Sequence, residues 1–131
     1  MSLLQKYILE LEEDVKLDEL NLKEAALMLP AKKAKWVSRL MLEKAALNEL
    51  LRKKEKTANE VVDELRKESA VKLALPTLQN AAERHGQVMA ISNEVRERQA
   101  VIEFLERVEK TMHSIGFDIK NLIELIKMET A

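Results

Sequence analysis

The sequence contains no cysteine. A disulfide framework and thiol redox chemistry are therefore excluded, and the composition suits a reducing cytoplasm. Glycine is confined to Gly86 and Gly116, and proline to Pro30 and Pro76. Sheets are joined by turns built on Gly, Pro and Asn-Gly pairs, so a β-rich fold would lack its connections. Phosphate-cradling loops need clustered glycines that let backbone N–H groups approach the ligand. Two isolated glycines make neither a P-loop nor a dinucleotide fingerprint. The two histidines, His85 and His113, belong to no HExxH or Cys–His cluster, so no metal site is expected. No apolar run approaches the ~18 residues of a membrane span. Glu10, Glu12, Glu13 and Asp14 interrupt the first apolar stretch, which argues against a signal peptide.

Catalytic groupings are equally scarce. A serine nucleophile needs a positioned base, but Ser2, Ser38, Ser69, Ser92 and Ser114 fall in helical or capping contexts. The acidic triplets Glu10, Glu12, Glu13 and Glu103, Glu106, Glu109 read as solvated helix faces. The expectation is a protein that is not an enzyme and carries no cofactor. His85, beside Gly86, reads as the last residue of a helix, where the dipole favours it.

What remains is helix chemistry. Leu, Ala, Glu, Lys and Arg dominate, and these residues lose little rotamer freedom in a helix. Ser2 and Gln5 have capping-box spacing. Leu4, Ile8, Leu11 and Val15 follow as a helical stripe. Asp18 is a good N-cap for a second segment, and Pro30 either ends that segment or opens the next. Trp36, Leu40, Leu47, Leu51, Ala58, Val62 and Leu65 then form a seam that repeats every eleven residues, about 3.67 per turn. The seam keeps phase past Thr57, which favours one continuous helix over a break there. Pro76 opens a short helix that stops at Gly86. Val88, Ile91, Val95, Ile102, Leu105, Val108 and Met112 mark a second long helix, interrupted in its stripe by Arg98. Gly116 reads as its stop. Asp118 then caps a short last helix, with Phe117 and Leu122 at hydrophobic-staple spacing.

The fold class expected is all-α. Two long helices lie in a hairpin-like arrangement with short N- and C-terminal helices. Residues 1–131 form a single domain, divided into residues 1–75, with the basic long helix, and 76–131, with the second long helix and the tail. The tail is unusually apolar at Ile119, Leu122, Ile123, Leu125 and Ile126. A short helix of this kind needs burial over most of its circumference. It either docks into the chain's own core or packs with identical helices of other copies.

Charge is unevenly placed. Residues 1–24 hold three bases and seven acids, net −4; residues 32–56 hold nine bases and three acids, net +6; residues 57–131 hold ten bases and thirteen acids, net −3. A basic middle can bind an anion locally although the chain is near neutral. Lys32, Lys35, Arg39 and Lys53 fall within about a 60° arc of one helix. Arg52, Lys53, Lys54 and Lys56 form a dense cluster. A one-sided row of cations can track a phosphate backbone; it can equally be a solvated helix face. Trp36 lies on the apolar seam as a core residue, with base stacking as the alternative role.

Two blocks of residues resemble a known family. One comprises Glu13-Asp14-Val15, Asp18, Glu24-Ala25-Ala26 and Lys35-Trp36. The other runs from Val88 through Phe104 to Gly116-Phe117 and Ile119-Lys120. In order and spacing they resemble the UvsY-like recombination mediators of T-even-type phages. That resemblance implies a small helical protein forming homo-oligomeric rings, hexamers or heptamers. Its partners would be single-stranded DNA, a recombinase and a single-strand-binding protein, in the host-cell cytoplasm and away from membranes. It implies that Phe117, Ile119, Leu122, Ile123, Leu125 and Ile126 drive oligomerisation, and that bases after the Lys-Trp pair bind DNA. The chain departs from the family's pattern at Lys56-Thr57-Ala58-Asn59-Glu60-Val61-Val62-Asp63, which has no tyrosines; the cations lie earlier, at residues 52–56. The DNA-binding candidates are therefore Lys32, Lys35, Arg39, Arg52, Lys53, Lys54 and Lys56. The alternative is a helical scaffold that oligomerises and binds proteins without DNA.

Overall fold

The computed structural model describes residues 1–130. It contains four helices: α1 (Leu3–Asp14), α2 (Leu22–Glu68), α3 (Leu75–Glu83) and α4 (Gly86–Thr130). No strand occurs among the described residues.

The capping box forms as its spacing predicts. The Ser2 side chain accepts from the Gln5 N–H, and the Gln5 side chain accepts from the Ser2 N–H. Asp18 accepts from the N–H groups of Leu20 and Asn21, and Asn21 Oδ1 accepts from the Asp18 N–H. This reciprocal turn leads directly into α2. α2 is unbroken past Thr57. Pro76 occupies the first turn of α3, where its missing N–H costs nothing.

Two compact units result. The first comprises residues 1–42 and 100–131, and the second residues 43–99. In the first unit, α2 and α4 run antiparallel: Trp36 meets Phe104, and Leu29 approaches Gly116. Its buried residues are Leu22, Trp36 and Leu40 from α2, and Val101, Ile102, Leu105, Val108, Met112, Ile115 and Ile119 from α4. In the second unit, Val61 and Val62 pack with Leu78, Ala82 and Val88, so α3 closes over α2 and α4.

Arg98, the charged break in the α4 stripe, has a structural partner. Its guanidinium donates to Glu43 Oε2 at 2.8 Å, and the Glu43 side chain is only 12% exposed. A carboxylate that far from water requires such a partner.

Three expectations are corrected. Pro30 neither ends nor begins a helix; it lies inside α2. The helix gives up one backbone hydrogen bond there, a local loss outweighed by flanking burial at Leu22 and Trp36. Gly116 does not stop α4, and Asp118 does not cap a separate tail helix. The apolar stripe keeps phase through Met112, Ile115 and Ile119, and their burial exceeds the ~1 kcal/mol cost of a glycine in mid-helix. The C-terminal residues are therefore the last turns of α4. His85 lies in the bend between α3 and α4: its N–H donates to the Ala82 carbonyl in the last turn of α3, and its Nδ1 accepts from the Gln87 N–H at the start of α4.

Candidate nucleic-acid interface

The candidate cations fall into two groups, one in each unit. In the first unit, Lys32, Lys35 and Arg39 recur every three or four residues on α2 and face α1. Lys35 Nζ lies 2.5 Å from Asp14 Oδ2 and 2.8 Å from Glu10 Oε2. Arg39 is paired with Glu10. Lys32 Nζ donates to the Asp14 carbonyl at 3.0 Å.

Aromatic rings complete this cluster. Trp36 is 1% exposed, and its indole N–H donates to Asp14 Oδ2 at 2.9 Å. Tyr7 and Phe104 each meet it edge-on, with centroids 5.6 Å and 6.4 Å away. The Arg39 guanidinium lies 4.8 Å from both the Tyr7 and Trp36 centroids, and Lys35 Nζ is 5.1 Å from Trp36. Trp36 is thus a core residue with a satisfied N–H, and a base has no access to it in this arrangement.

These contacts fix charge states. The hydrogen bond from Arg39, reinforced by Lys35, holds the Glu10 carboxyl below its ordinary pKa despite some opposing desolvation. For Lys35, partial burial is the largest single influence and disfavours the charge. The bonds to Asp14 and Glu10 together outweigh it and raise the ammonium pKa. Glu10 is therefore no solvated surface acid. Sequence did contain a signal for this: an acidic helix followed closely by a basic one.

In the second unit, the four cations of residues 52–56 stand on α2. Arg52 pairs with Glu49 at 2.7 Å, but both side chains are more than 70% exposed. Lys54 Nζ lies 3.6 Å from Glu83 of α3. Exposed pairs of this kind contribute ~0–1 kcal/mol and exchange readily. Lys53 and Lys56 are exposed and form no ion pair among the described residues. Beside them, a groove of about 470 Å³ between α2 and α3 is lined by Lys54, Asn59, Gln79, Asn80 and Glu83 over Ala58, Val62 and Ala82.

The apolar tail also divides. Ile119 is buried in the first unit's own core, and Leu122, Ile123 and Ile126 are half-buried. Phe117 and Leu125 are more than half exposed, as is Met128. On α2, Leu27, Pro30, Ala31, Ala34, Val37, Ser38, Met41 and Leu42 make an exposed stripe without a charge.

Among the described residues, no group of His, Cys, Asp and Glu could hold a metal ion, and no helix is long and apolar enough to cross a membrane.

The chain is thus an all-α protein built on two long helices, with exposed cations on α2 and uncovered apolar side chains at the end of α4. The family model for UvsY, described as a recombination, repair and ssDNA binding protein, matches residues 10–131, and the chain belongs to that family. Crystal structures of the bacteriophage T4 recombination mediator protein UvsY share the fold. One superposes with a TM-score of 0.85 at 18% identity, covering 98% of this chain and 99% of that one. A second crystal form gives 0.86 at 17% identity, covering 100% and 99%. No curated protein sequence matches the chain.

Proposed function

We propose that the protein is a recombination mediator that binds single-stranded DNA and helps a phage recombinase load onto strands covered by single-strand-binding protein, in the cytoplasm of the infected host. The observation that carries this is the cation cluster of residues 52–56, exposed at Arg52, Lys53 and Lys56, in a chain of the UvsY family. Arg52, Lys53, Lys54 and Lys56 hold phosphates electrostatically, and no covalent chemistry is required of the protein. One copy with three or four phosphate contacts binds weakly. A homo-oligomer, hexamer or heptamer, multiplies the effect through its effective concentration. Exposed Phe117, Leu125 and Met128 support such an assembly, because a soluble chain leaves few large apolar side chains clustered without a partner. The half-buried Leu122, Ile123 and Ile126 border the same surface, and Ile119 supports it from beneath.

Titration of a fluorescent oligo-dT at several salt concentrations tests the DNA site. The Lys53→Ala/Lys56→Ala variant is expected to bind more weakly, with the log–log salt slope reduced by about 1.4, from ~0.7 per phosphate contact. Absence of oligo-dT binding at low salt would leave only the protein-scaffold role. An unchanged slope in the variant would move the DNA site elsewhere.

A further inference from the structure

The geometry points to a second phosphate-binding site, formed by Lys32, Lys35 and Arg39 of α2 and kept closed by α1, whose carboxylates stand where phosphates would bind. This rests on the single-stranded DNA function proposed above and adds a site that opens.

Chemistry supports the substitution. Lysine and arginine bind carboxylate and phosphate oxygens by the same charge-assisted hydrogen bonds. Glu10 and Asp14 supply such oxygens to Lys35 and Arg39, and the Asp14 carbonyl supplies one to Lys32. A strand approaching these cations also meets Glu12 and Glu13; with Lys6 as its one base and four acids, α1 carries net −3. The strand can reach the site only if α1 moves.

Packing supports the movement. α1 contains no buried residue. All buried side chains of the first unit come from α2 and α4, so lifting α1 takes none of them out of that core, although it uncovers one side of Trp36. Residues 15–21 join α1 to α2 without regular helix, and the hydrogen bonds between Asp18 and Asn21 that cap the entry to α2 use no atom of α1. α1 is held by these ion pairs together with the half-buried Leu4, Tyr7 and Leu11, Tyr7 lying edge-on to Trp36. Ionic contacts of this kind are in direct competition with a polyanion and are screened by salt. Lifting α1 also removes the Asp14 hydrogen bond from the indole N–H. Trp36 is the single tryptophan, so its fluorescence reports the event without a label.

The test uses the full chain, oligo-dT and the Glu10→Gln/Asp14→Asn variant, which keeps side-chain size and removes both negative charges, turning one oxygen acceptor of each carboxylate into an NH2 donor. Circular dichroism of the variant should match the parent. The parent is expected to show increased acrylamide quenching of Trp36 when oligo-dT is added at low salt. The variant should show high quenching before DNA is added, bind oligo-dT several-fold more tightly, and give a salt slope steeper by about 0.7–1.4, for one or two added phosphate contacts. Normal DNA binding by the parent with unchanged Trp36 quenching, or equal affinities and slopes for the two proteins, overturns the closed site alone. No DNA binding by either protein overturns both this site and the proposed function. Should the variant lose helicity, the parent's quenching response decides by itself.

Discussion

Glu10 shows how one side chain links charge, packing and pH. Its carboxyl is held below the ordinary value of 4.5, first by Arg39 and then by Lys35. A group with a depressed folded pKa stabilises the fold above its unfolded pKa, and that contribution is lost as pH falls through the folded value. The attachment of α1 should therefore be intact at neutral pH and weaken below pH 4.5. Acrylamide quenching of Trp36 followed from about pH 6 to about pH 3 should rise in that window. In Glu10→Gln the same rise should be smaller, since one titrating partner is gone; identical curves would show that Glu10 does not hold the helix. Lys35 has the opposite sign. Its raised pKa gives stability that is complete below 10.5 and lost only as pH climbs above it, so it does not blur the acid transition.

At the scale of the element, α4 is decided by its apolar phase rather than by its glycine. Gly116 has no positive φ, and an added Cβ would lie 3.7 Å from Leu29 Cδ2 and 3.9 Å from Lys33 Nζ, ordinary contact distances. Gly116→Ala should consequently stabilise the protein by about 0.5–1 kcal/mol, chiefly by restricting the unfolded chain. Thermal unfolding should shift upward by a few degrees; a downward shift would mean that the helix is distorted at this point. α2 makes the same point with Pro30, which the helix tolerates because burial on either side outweighs one lost hydrogen bond. Stop signals in a sequence are local preferences of about 1 kcal/mol for Gly and about 3 for Pro. A long buried stripe can exceed either.

At the scale of the whole molecule, exposed apolar side chains include those of the tail of α4 and of the uncharged stripe of α2. On the assembly surface proposed above, a charge at the tail would be buried without a partner. Leu125→Glu should weaken each subunit contact by at least about 2 kcal/mol, roughly thirtyfold. Light scattering should then show a lower native mass, with helicity unchanged because Leu125 is 54% exposed in the single chain. A variant that retained the parent's mass would remove Leu125 from the assembly surface.

The all-α class, the capping box, the continuous α2 past Thr57 and every predicted buried position of α4 from Val88 to Met112 were legible because they depend on short-range propensity and on periodicity along one helix. So was membership of a mediator family, carried by ordered residues in two separated blocks. Other properties depend on which helix lies against which, and no periodicity encodes that. Tertiary structure decided that Lys35 and Arg39 meet the carboxylates of α1 and Lys32 its Asp14 carbonyl, while Lys53 and Lys56 remain exposed, although all five are bases on one helix. It also decided that Ile119 belongs to the chain's own core while Phe117 and Leu125 stay uncovered. The physical reason is the same in both cases: composition determines how much charge and apolar surface a chain has, and only packing determines which part of it is already spent.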